Sequence, residues 1–219
     1  MINKTPGFLS EDIFNYLDKF DTPTDDLLLA IESFALLNKI PILSRQSAKL
    51  LEFLVSVQSP DRVLEIGTAI AYSAIRIART LPEDSKLDTI EISKNNYSLA
   101  SDFVKRAGLQ DKINIVLGNA LELLTTWKNT YDLIFIDADK RDYPLHYHNA
   151  KKILNPGGVI LIDNLLWKGK VTRDSQEVEK EKSIAILKQF NEDFIKDREV
   201  QSLILPVGDG LGLALKKES

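Results

Sequence analysis

The sequence predicts a doubly wound α/β domain: a mostly parallel sheet preceded by a helical extension. Short apolar runs at 63–66, 87–90, 113–117, 133–136 and 159–162 alternate with segments of helical composition at 71–80, 94–107 and 145–154. Strand and helix alternating at that spacing make a parallel sheet with helices on both faces. Residues 1–60 read as helices, and the tail reads as two strands, 200–206 and 211–215, joined through Gly208-Asp209-Gly210. That tail is an antiparallel hairpin for the sheet edge. No repeat, low-complexity segment or linker interrupts the chain, so one domain is expected over 1–219, with an extension at 1–60 and a core at 61–219.

Within the extension, a first helix is expected from about 11 to 20. A second follows Thr24, which stands before Asp25 and Asp26 as an N-cap followed by acids. A third begins near Ser44 and carries Ala48, Leu51, Phe53, Leu54 and Val57 close to helical period. After Pro60 the strand and helix alternation begins.

Composition excludes several classes. The 219 residues contain no cysteine, so disulfides, thiolate metal sites and cysteine nucleophiles are ruled out. The net charge of −4 and the lack of a long basic run argue against broad electrostatic capture of nucleic acid. The start shows no charged-then-apolar signal pattern, and no apolar stretch approaches the roughly 20 residues of a membrane span. A cytoplasmic protein without membrane contact is the expectation.

The informative feature is where acids fall. Glu65, Glu91, Asp137 and Asp163 each close one of the apolar runs. In open parallel sheets, ligands bind beyond the carboxyl ends of the strands. One acid there is ordinarily a helix N-cap; four together favour a ligand site. Gly67 permits a tight turn and close approach of backbone to ligand. Glu91 is placed to accept hydrogen bonds from two ribose hydroxyls, a geometry that also serves nicotinamide dinucleotides. The first loop decides against those: Gly67-Thr68-Ala69-Ile70-Ala71 lacks the further glycines of a pyrophosphate cradle. A cationic nucleoside without phosphates fits better, with Glu65 helping to hold a charged amino-acid end. Asp137, Asp163 and Asn164 offer only oxygen donors, which select a hard divalent cation. On spacing alone, two N-caps and a turn asparagine remain the alternative.

The segments 63–68 (VLEIGT), 131–140 (YDLIFIDADK) and 157–169 (GGVILIDNLLWKG) resemble the cation-dependent O-methyltransferases, the family of the caffeoyl-CoA and catechol enzymes and many small bacterial ones. The tail 205–211 (LPVGDGL) and the pair Phe190-Asn191 match as well, so the resemblance covers nearly the whole chain. It implies a seven-stranded, Rossmann-like sheet with an antiparallel last strand, S-adenosylmethionine as cofactor, a divalent cation (Mg²⁺ first, Ca²⁺ or Mn²⁺ as alternatives) and a homodimer. Asp137, Asp163 and Asn164 match the metal ligands, Asp137 also bordering the cofactor. Glu91 matches the acid on the ribose, and Glu65, Gly67, Thr68 and Ser73 the loop around the methionine part. Ala120 matches a residue beside the adenine, Leu43 a weaker cofactor contact, and Lys140 the catalytic base of the catechol branch. Two departures stand out. Ala71 replaces a usual glycine, where its methyl has room to crowd the cofactor, though so small an exchange is expected to be tolerated. Lys188 replaces a usual arginine and loses the planar fork.

The chemistry follows from these types. Methyl transfer needs an oxygen nucleophile held in line with the sulfonium. A phenol, with a pKa of about 10, is a poor nucleophile at neutral pH. A cation on Asp137, Asp163 and Asn164 lowers that pKa and orients two adjacent oxygens; Lys140 takes the proton. Tyr143, Trp167 and Asn191 are candidate substrate contacts, with Tyr143, Trp167 and Phe190 as an aromatic wall for a planar acceptor; packing explains the aromatics equally well. His146 and His148, two residues apart, share no helix face and are read as packing or solvent histidines. The expected acceptor is a catechol-type small molecule. The competing acceptor is a 5-hydroxyuridine in transfer RNA, for which Lys168, Lys170 and Arg173 offer phosphate contacts. An NAD-dependent oxidoreductase is the remote alternative from another class.

Overall fold

A computed structural model describes residues 11–20, 25–172 and 182–218. The expected N-cap Thr24 and the basic Arg173 lie outside the described residues. The elements run α1 (Glu11–Asp18), α2 (Asp26–Asn38), α3 (Arg45–Gln58), β1 (Arg62–Ile66), α4 (Tyr72–Thr80), β2 (Lys86–Glu91), α5 (Lys94–Ala107), β3 (Ile113–Leu117), α6 (Ala120–Leu123), β4 (Tyr131–Ile136), α7 (Tyr143–Ile153), β5 (Leu154–Ile162), α8 (Lys182–Lys196), β6 (Val200–Leu205) and β7 (Leu211–Lys216). Short 3-10 turns cover Lys140–Asp142 and Trp167–Thr172.

The seven strands form one sheet in the order β3-β2-β1-β4-β5-β7-β6. The first five pair in parallel; β7 enters antiparallel between β5 and β6. The doubly wound sheet with its antiparallel tail is therefore as expected. Alternation along the strands separates two cores. Val63, Leu133, Phe135 and Leu161 face one side, against α2 to α5. Leu64, Ile66, Ile134, Ile136, Ile160 and Ile162 face the other, against α6, α7 and α8.

Local chemistry sets the element ends. Asp25 caps α2 by accepting from the Leu28 amide at 3.0 Å. The third helix begins near Ser44 as expected, and Ser44 caps it by accepting from the Ser47 amide. The face of α3 differs from the sequence reading: Ala48, Leu51 and Val55 are buried, whereas Phe53 and Val57 are 64% and 68% exposed. Phe53 and Val57 lie one turn apart on the outer face of that helix. Helix α8 was not anticipated, although Ile184, Leu187, Phe190 and Phe194 fall at helical spacing and are all buried.

Candidate active site

The strand ends meet because backbone hydrogen bonds continue past them. The Gly67 amide donates to Ile90 O, Gly118 to Glu91 O, Asp137 to Ile66 O and Asp163 to Ile136 O. The residues just beyond β1, β2, β3, β4 and β5 thereby share one rim. A cavity of about 510 Å³ opens there, within the range of roughly 300–1,000 Å³ usual for small-molecule sites. Gly67, Thr68, Ser73, Glu91, Ala120, Asp137, Lys140, Asp163 and Asn164 line it, and Leu43 closes it from the extension with Pro41 and Ile42.

At one end, Glu91 anchors the first loop. Its Oε2 accepts from the Ala69 amide at 2.8 Å and its Oε1 from the Ser93 amide at 2.7 Å. Each oxygen retains a lone pair for a ligand hydroxyl. The loop itself is bent through left-handed backbone at Gly67, Ala69 and Ala71, with φ of 102°, 47° and 66°. The departure at Ala71 thus has a different cost from the one expected. Its methyl is fully buried in the helical core and does not line the cavity. What the missing glycine costs is backbone strain, about 1–2 kcal/mol for an L-residue in this region.

Glu65 also departs from expectation. It lies beneath the cavity and does not line it; it is fully buried. Its carboxylate accepts from the hydroxyls of Ser73 and Thr89, each at 2.5 Å, and Thr89 in turn meets the Thr68 hydroxyl at 2.6 Å. Burial pushes Glu65 up to about 7 despite those two hydroxyls. Glu65 therefore reaches the cavity wall only indirectly, through Ser73 and, by way of Thr89, through Thr68.

At the other end, Asp137, Asp163, Asn164 and Lys140 come together. Burial, then the neighbouring Asp137 carboxylate, pushes Asp163 up to about 7. Burial raises Asp137 as well, against the Lys140 charge. Lys140 Nζ donates to Asn164 Oδ1 at 2.8 Å, and Asn164 Nδ2 donates to Asp163 Oδ2 at 3.1 Å. Asp163 Oδ1 is buried with no partner. Tyr143 fixes the strand end by donating its hydroxyl to Asp163 O at 2.9 Å. Asn164 takes a φ of 60°, which asparagine tolerates better than most residues. Two adjacent carboxylates that disfavour each other's charge, one oxygen without a partner, and an amide oxygen make a hard-cation donor set. Among the described residues no group of three or more His, Cys, Asp or Glu side chains is placed to hold a metal; the third donor here is an amide.

Tyr143, Trp167 and Asn191, the candidate substrate contacts, do not line the cavity. Tyr143 is fully buried against Phe190, and Asn191 Nδ2 donates to Leu165 O at 2.8 Å, tying α8 to the segment after Asn164. In this structure Tyr143 and Asn191 hold the rim in place. His146, read as a packing residue, does reach the cavity.

The family model described as "O-methyltransferase" matches residues 29–217 of the chain. A caffeoyl-CoA O-methyltransferase of Stellaria longipes is 30% identical over 174 residues, covering 75% of this chain and 72% of its own. The O-methyltransferase TomG of Streptomyces achromogenes, solved with S-adenosylmethionine, aligns with a TM-score of 0.83 at 28% identity, over 94% of this chain and 96% of its own. An O-methyltransferase of Bacillus cereus solved with S-adenosylhomocysteine gives the same score and identity, over 94% and 97%. The chain belongs to the O-methyltransferase family. Its class is that of the S-adenosylmethionine-dependent O-methyltransferases.

Proposed function

We propose that this protein methylates a hydroxyl of a small phenolic acceptor with two vicinal oxygens, using S-adenosylmethionine bound in the cavity and a divalent cation at Asp137, Asp163 and Asn164. The observation that carries the reading is the unpartnered Asp163 Oδ1, buried beside Asp137 and one hydrogen bond from the Asn164–Lys140 pair. The all-oxygen donors Asp137, Asp163 and Asn164 suit a Mg²⁺-like ion, which would lower the pKa of the acceptor hydroxyl when bound. The remaining work falls to the chain. Glu91 holds the ribose hydroxyls, while Ser73 and Thr68, backed by Glu65, hold the methionine end. Leu43 and Ala120 pack against the nucleoside. Lys140 Nζ, on the cavity wall beside Asn164, takes the acceptor proton. Desolvation in the cavity and a fixed approach of oxygen to the sulfonium supply the rate.

The reading has two broader parts: a cytoplasmic location, expected from the sequence pattern, and a homodimer, implied by the resemblance. The exposed Leu36, Leu37, Phe53 and Val57 of α2 and α3 give a second copy apolar surface to cover. The transfer RNA reading rests on the exposed Lys168 just past Asn164 and on Lys170. One set of measurements tests the proposal. Calorimetry is expected to show S-adenosylmethionine binding and no NAD binding. Methyl transfer to a catechol is expected to stop in excess chelator and return with Mg²⁺. Full activity in chelator refutes the cation, and labelling of bulk unmodified transfer RNA in place of catechols refutes the acceptor.

A further inference from the structure

Two polar side chains at the start of α7 line the cavity, and neither the metal cluster nor the ribose site uses them. Asp142 occupies the N-cap position, yet its side chain makes no capping hydrogen bond. His146, one turn further on, is 4% exposed, and its Nδ1 is buried without a partner. Both line the same cavity. A capping acid that does not cap, next to an imidazole nitrogen with no partner, marks polar groups reserved for something else.

Their placement says which part of a ligand they meet. On α7, Tyr147 points toward α8, where its ring packs on Phe190 and Phe194 and its hydroxyl donates to Asp197. His146 is turned from Tyr147 by about 100° around the helix. It therefore leaves the α8 side, and α6, whose first residue Ala120 lines the cavity, packs against α7. With Glu91 at the ribose and Ala120 beside the base, that is the nucleobase end. We infer that Asp142 and His146 together read the amino edge of the cofactor's adenine. The inference rests on the S-adenosylmethionine reading above.

The chemistry of the pair is specific. A carboxylate only accepts hydrogen bonds, which suits the two N–H groups of the exocyclic amine. Burial lowers the His146 pKa, against Asp142 and Asp139, so the ring is neutral at pH 7 and offers one N–H to the adenine N1 lone pair. A six-oxo base reverses both groups: an oxygen faces the carboxylate and an N–H faces the ring. The imidazole can exchange tautomer to suit; the carboxylate has no such option. Asp142 therefore carries discrimination, and His146 carries affinity.

The test is calorimetry of S-adenosylhomocysteine and of its deaminated analogue, S-inosylhomocysteine. The wild-type protein is expected to prefer the adenine compound by about 10–100-fold, the scale of a hydrogen bond to a charged group. Asp142→Asn, whose amide can turn to donate or accept, is expected to reduce that preference to about threefold or less. His146→Phe is expected to weaken S-adenosylhomocysteine about tenfold, and His146→Gln, which keeps an N–H, to recover most of the loss. Should His146→Phe fail to fold, the half-buried Asp142 decides the question alone. Unchanged affinity and unchanged base preference in both Asp142→Asn and His146→Phe overturn this inference only. A wild-type protein that binds neither compound overturns the cofactor reading and this inference together.

Discussion

A Cβ placed on Gly67 would lie 1.9 Å from the main-chain oxygen of Asp137. The turn after β1 and the turn after β4 are thus in backbone contact, and the contact sets Asp137 against the loop that Glu91 anchors. Gly67 also has a φ of 102°, outside the range comfortable for an L-residue. Gly67→Ala must either move the β4 turn or open the loop. The two costs add to about 2–5 kcal/mol from overpacking and backbone strain. The expected outcome is a large drop in the urea midpoint; a midpoint within error of wild type means that the two turns slide apart freely.

The pairing of Asp163 with Asp137 costs the fold stability. Asp163 is held up at about 7 by burial and by Asp137. Asp163→Asn removes that repulsion and keeps the shape. Above pH 7, in chelator, the variant is expected to melt at or above the wild-type temperature. Added Mg²⁺ should then raise the melting temperature of wild type and leave the variant unmoved, with activity lost. An equal Mg²⁺ response in both proteins would place the cation elsewhere.

In the proposed reaction Lys140 and a cation on Asp137, Asp163 and Asn164 make separable contributions. Lys140→Ala is expected to lower turnover of a catechol by about 10²–10⁴-fold, the range of a positioned general base. The Michaelis constant should change far less, because a cation on Asp137, Asp163 and Asn164 would still hold the acceptor oxygens. More acidic catechols should recover part of the loss, since they need less help in losing a proton. Turnover across catechols of graded pKa checks this; a variant as fast as wild type, or single phenols reacting as well as catechols, removes Lys140 from the role.

Much of this was legible in the sequence because it follows from local pattern. Strand alternation fixed β1 to β5 within a residue or two at most ends, and the acids after those strands marked the rim. Long-range geometry was less accessible. Glu65 reads like its three companions in sequence, but as Val63's neighbour by two it points to the helical face, beneath Ser73 and Thr89. Tyr143 reads as a wall for an aromatic substrate, yet the turn of α7 sends its hydroxyl to the backbone of Asp163. His146 looked inert because its usefulness depends on α6, a helix of four residues with no periodic signal. For Ala71 the backbone angle, invisible in the sequence, explains the family's glycine better than crowding does.

Glu65 gives the protein a pH dependence of unusual sign. Its folded pKa is raised, to about 7, above the ordinary glutamate value of 4.5. The folded state therefore binds more protons than the unfolded chain between those two values, and stability falls as pH rises through them. The contribution is fully present below about 4.5 and lost above about 7, on the order of 3 kcal/mol if fully expressed. Asp163 changes stability in the same direction, so the wild-type curve alone cannot assign the effect to Glu65. Glu65→Gln separates them: it leaves Asp163 in place, keeps an oxygen for the Ser73 hydroxyl, and sets an amide N–H against the Thr89 oxygen, which can accept while its own hydroxyl turns to donate to Thr68. Urea midpoints measured from pH 5 to 8.5 in chelator should decline for wild type and decline less for the variant, the curves converging or crossing on the alkaline side. Parallel curves would mean that Glu65 carries its charge at little cost, and that the hydroxyls of Ser73 and Thr89 fully offset its burial.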